Sequence, residues 1–211
     1  ADNPIIRMSM EVREGRRLQY GNYGDSRIVR HGEINKQDMA IVASSADQIL
    51  CGKNTTRNML NARTREILGM DKNNLFGAKT AYPTIGDRLV CLKNNKEKGL
   101  LNGGLWEVLT VDLLATYAKM IIKSLDEPNR SPVEVRVLYQ FFDGTDKELH
   151  WRTKKEFDEF TYGYALTVHK SQGSQWDNVL LFDESSVFKE DKAKHLYTGI
   201  TRAAEKITIV L

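Results

Sequence analysis

The chain has little of what builds cross-links, metal clusters or membrane anchors. Its 211 residues include two cysteines, four histidines and four prolines. Cys51 and Cys91 stand far apart, each inside an apolar run, where a thiol usually serves as a small buried hydrophobe. No CxxC pair occurs and the histidines are scattered, which argues against a structural zinc site. No apolar run approaches the roughly 20 residues of a membrane span, and no basic start leads into an apolar core with a small-residue cleavage site. A soluble, cytoplasmic protein holding no metal of its own is expected. Neither sign of charge dominates, since 28% charged residues leave a net of +3. That balance permits a phosphate-rich partner without arguing for one.

What is present is enough apolar material, 41%, for one core plus a small satellite. Residues 4–14 read as an amphipathic helix with Ile5, Met8 and Val12 at spacings of three and four. Residues 15–38, rich in Gly, Asn and Arg, read as irregular. The apolar run 48–51 suits a buried strand, and Asn54 is placed to cap a helix that stops at Gly69. From Pro83 to about residue 150 short β-prone runs alternate with turns, the pattern of a small antiparallel barrel or meander. Strand and helix then alternate again: strands at 164–168, 178–182 and 206–211, and a helix over 190–204. The helix presents Ala193, Leu196, Tyr197, Ile200 and Ala204 as its apolar stripe. The expected fold is an α/β domain, a parallel sheet with helices on both faces, interrupted by a β-rich insertion. Its divisions are 1–84, 85–155 and 156–211.

Two stretches carry chemistry. Arg202 falls almost opposite the apolar stripe, which suits either a solvated arginine or a finger that stabilises charge on a transferring phosphoryl group. The run Thr167 to Trp176 (TVHKSQGSQW) begins where a strand ends, and ligands in open parallel sheets sit outside the strands' carboxyl ends. Thr167, His169 and Ser171 offer partners for phosphate oxygens, Lys170 a charge, and Gly173 close backbone approach. On spacing alone an ordinary polar connection fits equally well. Arg202 and the threonine–histidine turn are expected on one rim of the sheet.

Together, TVHKSQGSQWDNVLL (167–181) and LYTGITRAAEKITIV (196–210) resemble the last two signature motifs of superfamily 1 helicases, in the branch of RecD and Dda. The resemblance implies a RecA-like second motor domain that moves 5′ to 3′ on single-stranded DNA with ATP and Mg2+. By position, Arg202 is the γ-phosphate arginine, Thr167, His169 and Lys170 lie along the DNA backbone, and Gly173 and Gln175 approach the nucleotide. Many relatives have Glu at the position of Gln175. Residues 48–69 resemble the strand–helix unit that opens this domain, with Arg57 and Asn61 as its recurrent polar positions. Residues 86–109 resemble the start of an inserted SH3-like barrel, whose turns carry Lys93, Asn94, Asn95 and Asn102; the resemblance implies that Lys93, Asn95, Lys96 and Lys98 face DNA phosphates, a merely solvated lysine-rich turn being the alternative.

The phosphate-cradling loop G-x-x-x-x-G-K-(S/T) is absent: Asn54 follows Gly52-Lys53, and Asp47 stands where the first Gly belongs. The chain is therefore expected to be one piece of a longer protein, inactive alone, with ATP held mainly by an upstream RecA-like domain. Nuclease, replication or repair subunits are possible further partners. A non-catalytic strand-binding module and a protein-interaction subunit are the alternatives.

Overall fold

The structure is a computed structural model and describes residues 3–70 and 82–211. Contacts divide the chain into two compact units, Ala1–Leu60 with Ala165–Leu211, and Asn61–Tyr164. The second unit thus opens in mid-helix at residue 61, before the composition shift that suggested 85.

In the first unit, Pro4 supplies a preset φ at a position where its missing N–H costs nothing, and the Asn3 carboxamide accepts from the Ile5 N–H at 3.0 Å. Helix α1 (Pro4–Arg13) follows, burying Ile5, Met8 and Val12. The stretch expected to be irregular instead forms a hairpin, β1 (Gly21–Tyr23) and β2 (Ser26–Val29), and then α2 (Lys36–Ser45). Gly24, at φ 62°, makes the tight hairpin turn that a Cβ would strain. The strand signal was weak because β2 gains its order from a distant partner: Arg27–Val29 pair in parallel with Thr208–Val210. Next come β3 (Gln48–Cys51) and α3 (Asn54–Ile67), which stops before Gly69 at φ 70°.

After the second unit the chain returns as β9 (Ala165–Thr167), β10 (Trp176–Phe182), α6 (Lys192–Ile200) and β11 (Ala203–Val210). The sheet order is β1-β2-β11-β10-β3-β9, antiparallel only between β1 and β2. Alternate residues of β10 serve opposite faces. Leu180 packs with Val42 of α2 and Leu60 of α3, whereas Leu181 meets Gly199 of α6 so closely that an added Cβ would lie 3.0 Å away. Helices therefore cover both faces. The helix expected over 190–204 is shorter, because parallel pairing of Ala203 with Trp176 draws residues 203–204 into β11. Ala193 is exposed and no part of the apolar stripe.

The second unit is an antiparallel sheet ordered β7-β6-β5-β4-β8, from β4 (Arg88–Cys91), β5 (Leu105–Leu113), β6 (Tyr117–Ser124), β7 (Val133–Leu138) and β8 (Phe160–Tyr162). Along β6, Ala118, Met120, Ile122 and Ser124 are buried while Lys119, Ile121 and Lys123 are not, the period of two that one covered face imposes. Just before β8 the Asp158 N–H donates to the Arg136 carbonyl of β7 at 2.9 Å, linking the sheet's outer strands. Short helices α4 (Gln140–Asp143) and α5 (Trp151–Lys155) lie between β7 and β8.

One buried cluster anchors this unit. The Asp87 carboxylate accepts from Arg65 Nε (3.0 Å), Arg65 Nη2 (2.9 Å), the Tyr164 hydroxyl (2.7 Å) and the Thr84 N–H (2.8 Å). Arg65 also lies 4.2 Å from the centroid of the Tyr162 ring. Burial, and then the Asp87 charge, push the Tyr164 phenol far above its ordinary pKa, so it remains a hydrogen-bond donor. Satisfying every lone pair is what makes a buried pair tolerable. Arg65→Met strands the carboxylate and is expected to cost about 3–5 kcal/mol, read as a lower urea midpoint. Tyr164→Phe removes one donor and should cost about 1 kcal/mol; an unchanged midpoint for Arg65→Met would contradict the anchor.

Candidate functional site

The connection between β9 and β10, residues 168–175, starts at one rim of the sheet and ends at the other. Leu166 pairs with Leu50, Leu50 with Leu181, and Leu181 with Ile209, so Thr167 stands level with Val210 at the carboxyl edge. At the amino edge Trp176 pairs with Ala203, next to Arg202. From Trp176 to Phe182 the strand rises about 20 Å at roughly 3.3 Å per residue. Arg202 and the threonine–histidine turn therefore do not share a rim, contrary to expectation. The cause is topological: two adjacent-in-sequence parallel strands require the chain to travel back before β10 begins.

At the carboxyl end, Thr167 is half-buried and its Oγ1 accepts from the Lys170 N–H at 3.3 Å, which closes the turn. Ser171 is buried, its hydroxyl donating to the Val168 carbonyl at 2.7 Å, so it builds the turn and is not offered to a ligand. The His169 side chain is exposed and Lys170 half-buried.

At the amino end, Gly173 adopts φ 84° with open space where a Cβ would stand, so conformation and not crowding asks for glycine. Arg202 is half-buried, in the turn between α6 and β11 and not on the helix. Its guanidinium donates from Nε to the Thr198 carbonyl (3.1 Å), from Nη1 to the Ser174 carbonyl (2.9 Å) and from Nη2 to Thr201 Oγ1 (3.3 Å). A guanidinium has five N–H groups, and three of those of Arg202 are engaged in these bonds. The Trp176 N–H donates to the Arg202 carbonyl at 2.8 Å, and the exposed Gln175 approaches the Thr201 carbonyl at 3.5 Å. Gly173, Gln175 and Arg202 are thus gathered together, while Thr167, His169 and Lys170 are gathered elsewhere.

Sequence reasoning missed Glu184. Its Oε1 accepts from the N–H groups of Gly52 (3.0 Å) and Lys53 (3.1 Å), its Oε2 from the Thr56 hydroxyl (2.7 Å), and Lys53 Nζ lies 3.3 Å away. This carboxylate clamps the turn that leads into α3 and reaches the Thr56 hydroxyl in its first turn; Asn54 is the first helical residue and not its cap. Burial raises the Glu184 pKa, but the Thr56, Lys53 and Gly52 bonds outweigh it and hold the carboxyl below its ordinary value. A Cβ on Gly52 would come within 2.8 Å of the Glu184 Cβ, so the turn is closed to larger residues. Local sequence gave no signal because Glu184 lies 132 positions from Gly52. At the end of β3, Cys51 has its thiol pushed up to about 12 by burial and then by the Glu184 charge.

In the second unit, Lys93 is exposed and 3.8 Å from Glu159. The Asn95 side chain is committed within its turn, donating to Asp158 at 3.0 Å and accepting from the Lys98 N–H at 3.3 Å. Lys98 is likewise held, 2.7 Å from Asp158, and only Lys96 of these turn residues is exposed with no pairing described. Among the described residues no three acidic, His or Cys side chains cluster to hold a metal, and no helix is long and apolar enough to cross a membrane.

Because the Glu184 pKa is lowered on folding, its contribution is full above the unfolded-state pKa and is lost as pH falls through the folded value. Glu184→Gln should cost about 1 kcal/mol at neutral pH, read as a lower melting temperature, and the gap to the wild type should close in acid. A pH-independent gap would show that the charge is irrelevant.

Residues 162–210 match a family model described as UvrD-like helicase C-terminal domain. The ATP-dependent RecD2 DNA helicase of Deinococcus radiodurans is 31% identical over 121 residues, 57% of this chain and 13% of that protein. Pif1 helicase from Candida albicans has a fold similar to 99% of the chain and 53% of its own, with a TM-score of 0.57 at 14% identity. Bacteroides Pif1 in complex with ADP-AlF3 and ssDNA is similar over 99% of the chain and 49% of its own, with a TM-score of 0.50 at 13% identity. At such identities the two structures speak to the fold alone, and the chain spans about half or less of the length of the proteins it matches. Residues 162–210 are thus similar to UvrD-like helicase C-terminal domains, more than half of the chain is similar to a RecD2 helicase, and two Pif1 helicases share its fold.

Proposed function

We propose that this chain is the second motor domain of a larger ATP-dependent helicase that moves 5′ to 3′ along single-stranded DNA. The carrying observation is the anchored guanidinium of Arg202. Three of its N–H groups are fixed by Thr198, Ser174 and Thr201. A fork locked in this way suits bidentate contact with a phosphoryl group and loses little freedom on binding. The chain has no loop to cradle a triphosphate, so ATP and Mg2+ are held by another RecA-like domain, with Arg202 reaching the γ-phosphate across the gap. Gly173 and Gln175 flank the ribose; with an amide at 175, the contact lacks the charge that many relatives place there.

Thr167, His169 and Lys170, about 20 Å away along the sheet, meet the DNA backbone. Separate rims suit separate ligands: hydrolysis at one edge closes and opens the domains while the strand is gripped at the other. The antiparallel unit, in this reading, is an SH3-like barrel inserted at about 85–155, with Lys93 beside the strand and Asn95 shaping the turn that presents it. Such an enzyme acts in the cytoplasm, with nuclease or repair subunits as further partners. Bacteroides Pif1 in complex with ADP-AlF3 and ssDNA pairs the same two ligands on a similar fold.

In the intact protein, Arg202→Ala should reduce DNA-stimulated ATP hydrolysis by about 10³–10⁵-fold while DNA affinity stays within a few-fold. Arg202→Lys should rescue poorly, because an ammonium has no fork. Hydrolysis at the wild-type rate in Arg202→Ala would remove the finger role.

A further inference from the structure

The second unit carries an exposed feature that none of the motifs uses. Trp151, which opens α5, leaves 62% of its surface in solvent, so its ring is available for stacking. The Arg152 guanidinium lies 5.4 Å from its ring centroid, and the His150 ring 5.8 Å away at a 32° tilt. Lys155, four residues on, shares the helix face of Trp151 and lines a cavity of about 350 Å³ with Lys93, Lys96 and Phe157. Two acids on that wall are already matched, Asp158 by Lys98 at 2.7 Å and Glu159 by Lys93 at 3.8 Å. Lys96 and Lys155 remain, against Glu97.

We propose that Trp151, with Arg152, Lys155 and Lys96, forms an accessory grip on single-stranded DNA, in which one base stacks on the indole and neighbouring phosphates meet the cations. An aromatic face with positive charge at its flanks matches the alternation of base and phosphate along a strand. A protein partner would ask for contiguous apolar surface, whereas Trp151 is followed by Arg152, Thr153, Lys154, Lys155 and Glu156. The grip rests on the helicase reading; of its residues, Lys96 belongs to the turn already expected beside DNA, whereas Trp151, Arg152 and Lys155 lie outside every motif and assign a role to the segment between β7 and β8.

The test is equilibrium binding of fluorescein-labelled oligo-dT to the intact protein, by anisotropy across a salt series. Trp151→Ala should weaken binding about 5- to 150-fold, the range that loss of one base–aromatic stack implies, with an unchanged melting temperature as expected for so exposed a side chain. Trp151→Phe should retain most of the affinity. Lys96→Glu with Lys155→Glu should weaken binding and flatten its salt dependence. Wild-type affinity in Trp151→Ala overturns the grip, as does an equal loss on blunt duplex DNA, where no base is free to stack. The two readings fail separately: normal hydrolysis in Arg202→Ala would strike the motor assignment and leave the Trp151 result standing, whereas an oligo-dT affinity of zero in the wild type would end both.

Discussion

Parallel registry governs this domain more than any single side chain. Two parallel neighbours in sequence, β9 and β10, are not adjacent in the sheet: β3 lies between them. Pairing pins the end of β9 to the level of Val210, while β10 must begin at the level of Ala203 to pair along all of β11. The connection, residues 168–175, therefore spans the sheet's depth as a series of turns, the Ser171 N–H donating to the Thr167 carbonyl and the Ser174 N–H to the Ser171 carbonyl. That single constraint sets its threonine–histidine end and its glycine–glutamine end at opposite rims, and it delivers the Ser174 carbonyl to the Arg202 guanidinium.

The sheet and the antiparallel unit show two different solutions to burial. In the first, Leu180 and Leu181 are buried on opposite faces by helices from distant parts of the chain, and the strands carry near-continuous apolar runs. In the second, strict alternation along β6 buries one face only, and the charged pair of Arg65 and Asp87 is enclosed with all of its partners. The pair costs desolvation, yet it ties the end of α3 to the turn before β4 through a carboxylate that accepts four bonds. Such a pair specifies one arrangement among many apolar alternatives.

Much of this was legible in the residues themselves. The helix over Pro4–Arg13, the strand Gln48–Cys51, the helix ending before Gly69 and the β-rich middle follow from spacing and turn chemistry. The two stretches around Thr167 and Arg202 were visible as long patterns. What was hidden depends on partners far along the chain. Strand β2 is a strand because β11 runs beside it. Glu184 looks like a loop acid until Gly52, Lys53 and Thr56 are folded onto it. The end of α6 at Ile200 is decided by the competition of β10 for Ala203. The rim on which each motif end lies is a property of register, which no local pattern encodes.

The protonated thiol of Cys51 has a practical side. A cysteine reacts as its thiolate, and at a pKa of about 12 almost none is present near neutrality. Cys91 is equally shut away from solvent. Maleimide dyes would therefore pass over both native sulfurs and settle on a cysteine engineered at the surface. A fluorophore placed at such a position would report on this domain with the original core left intact.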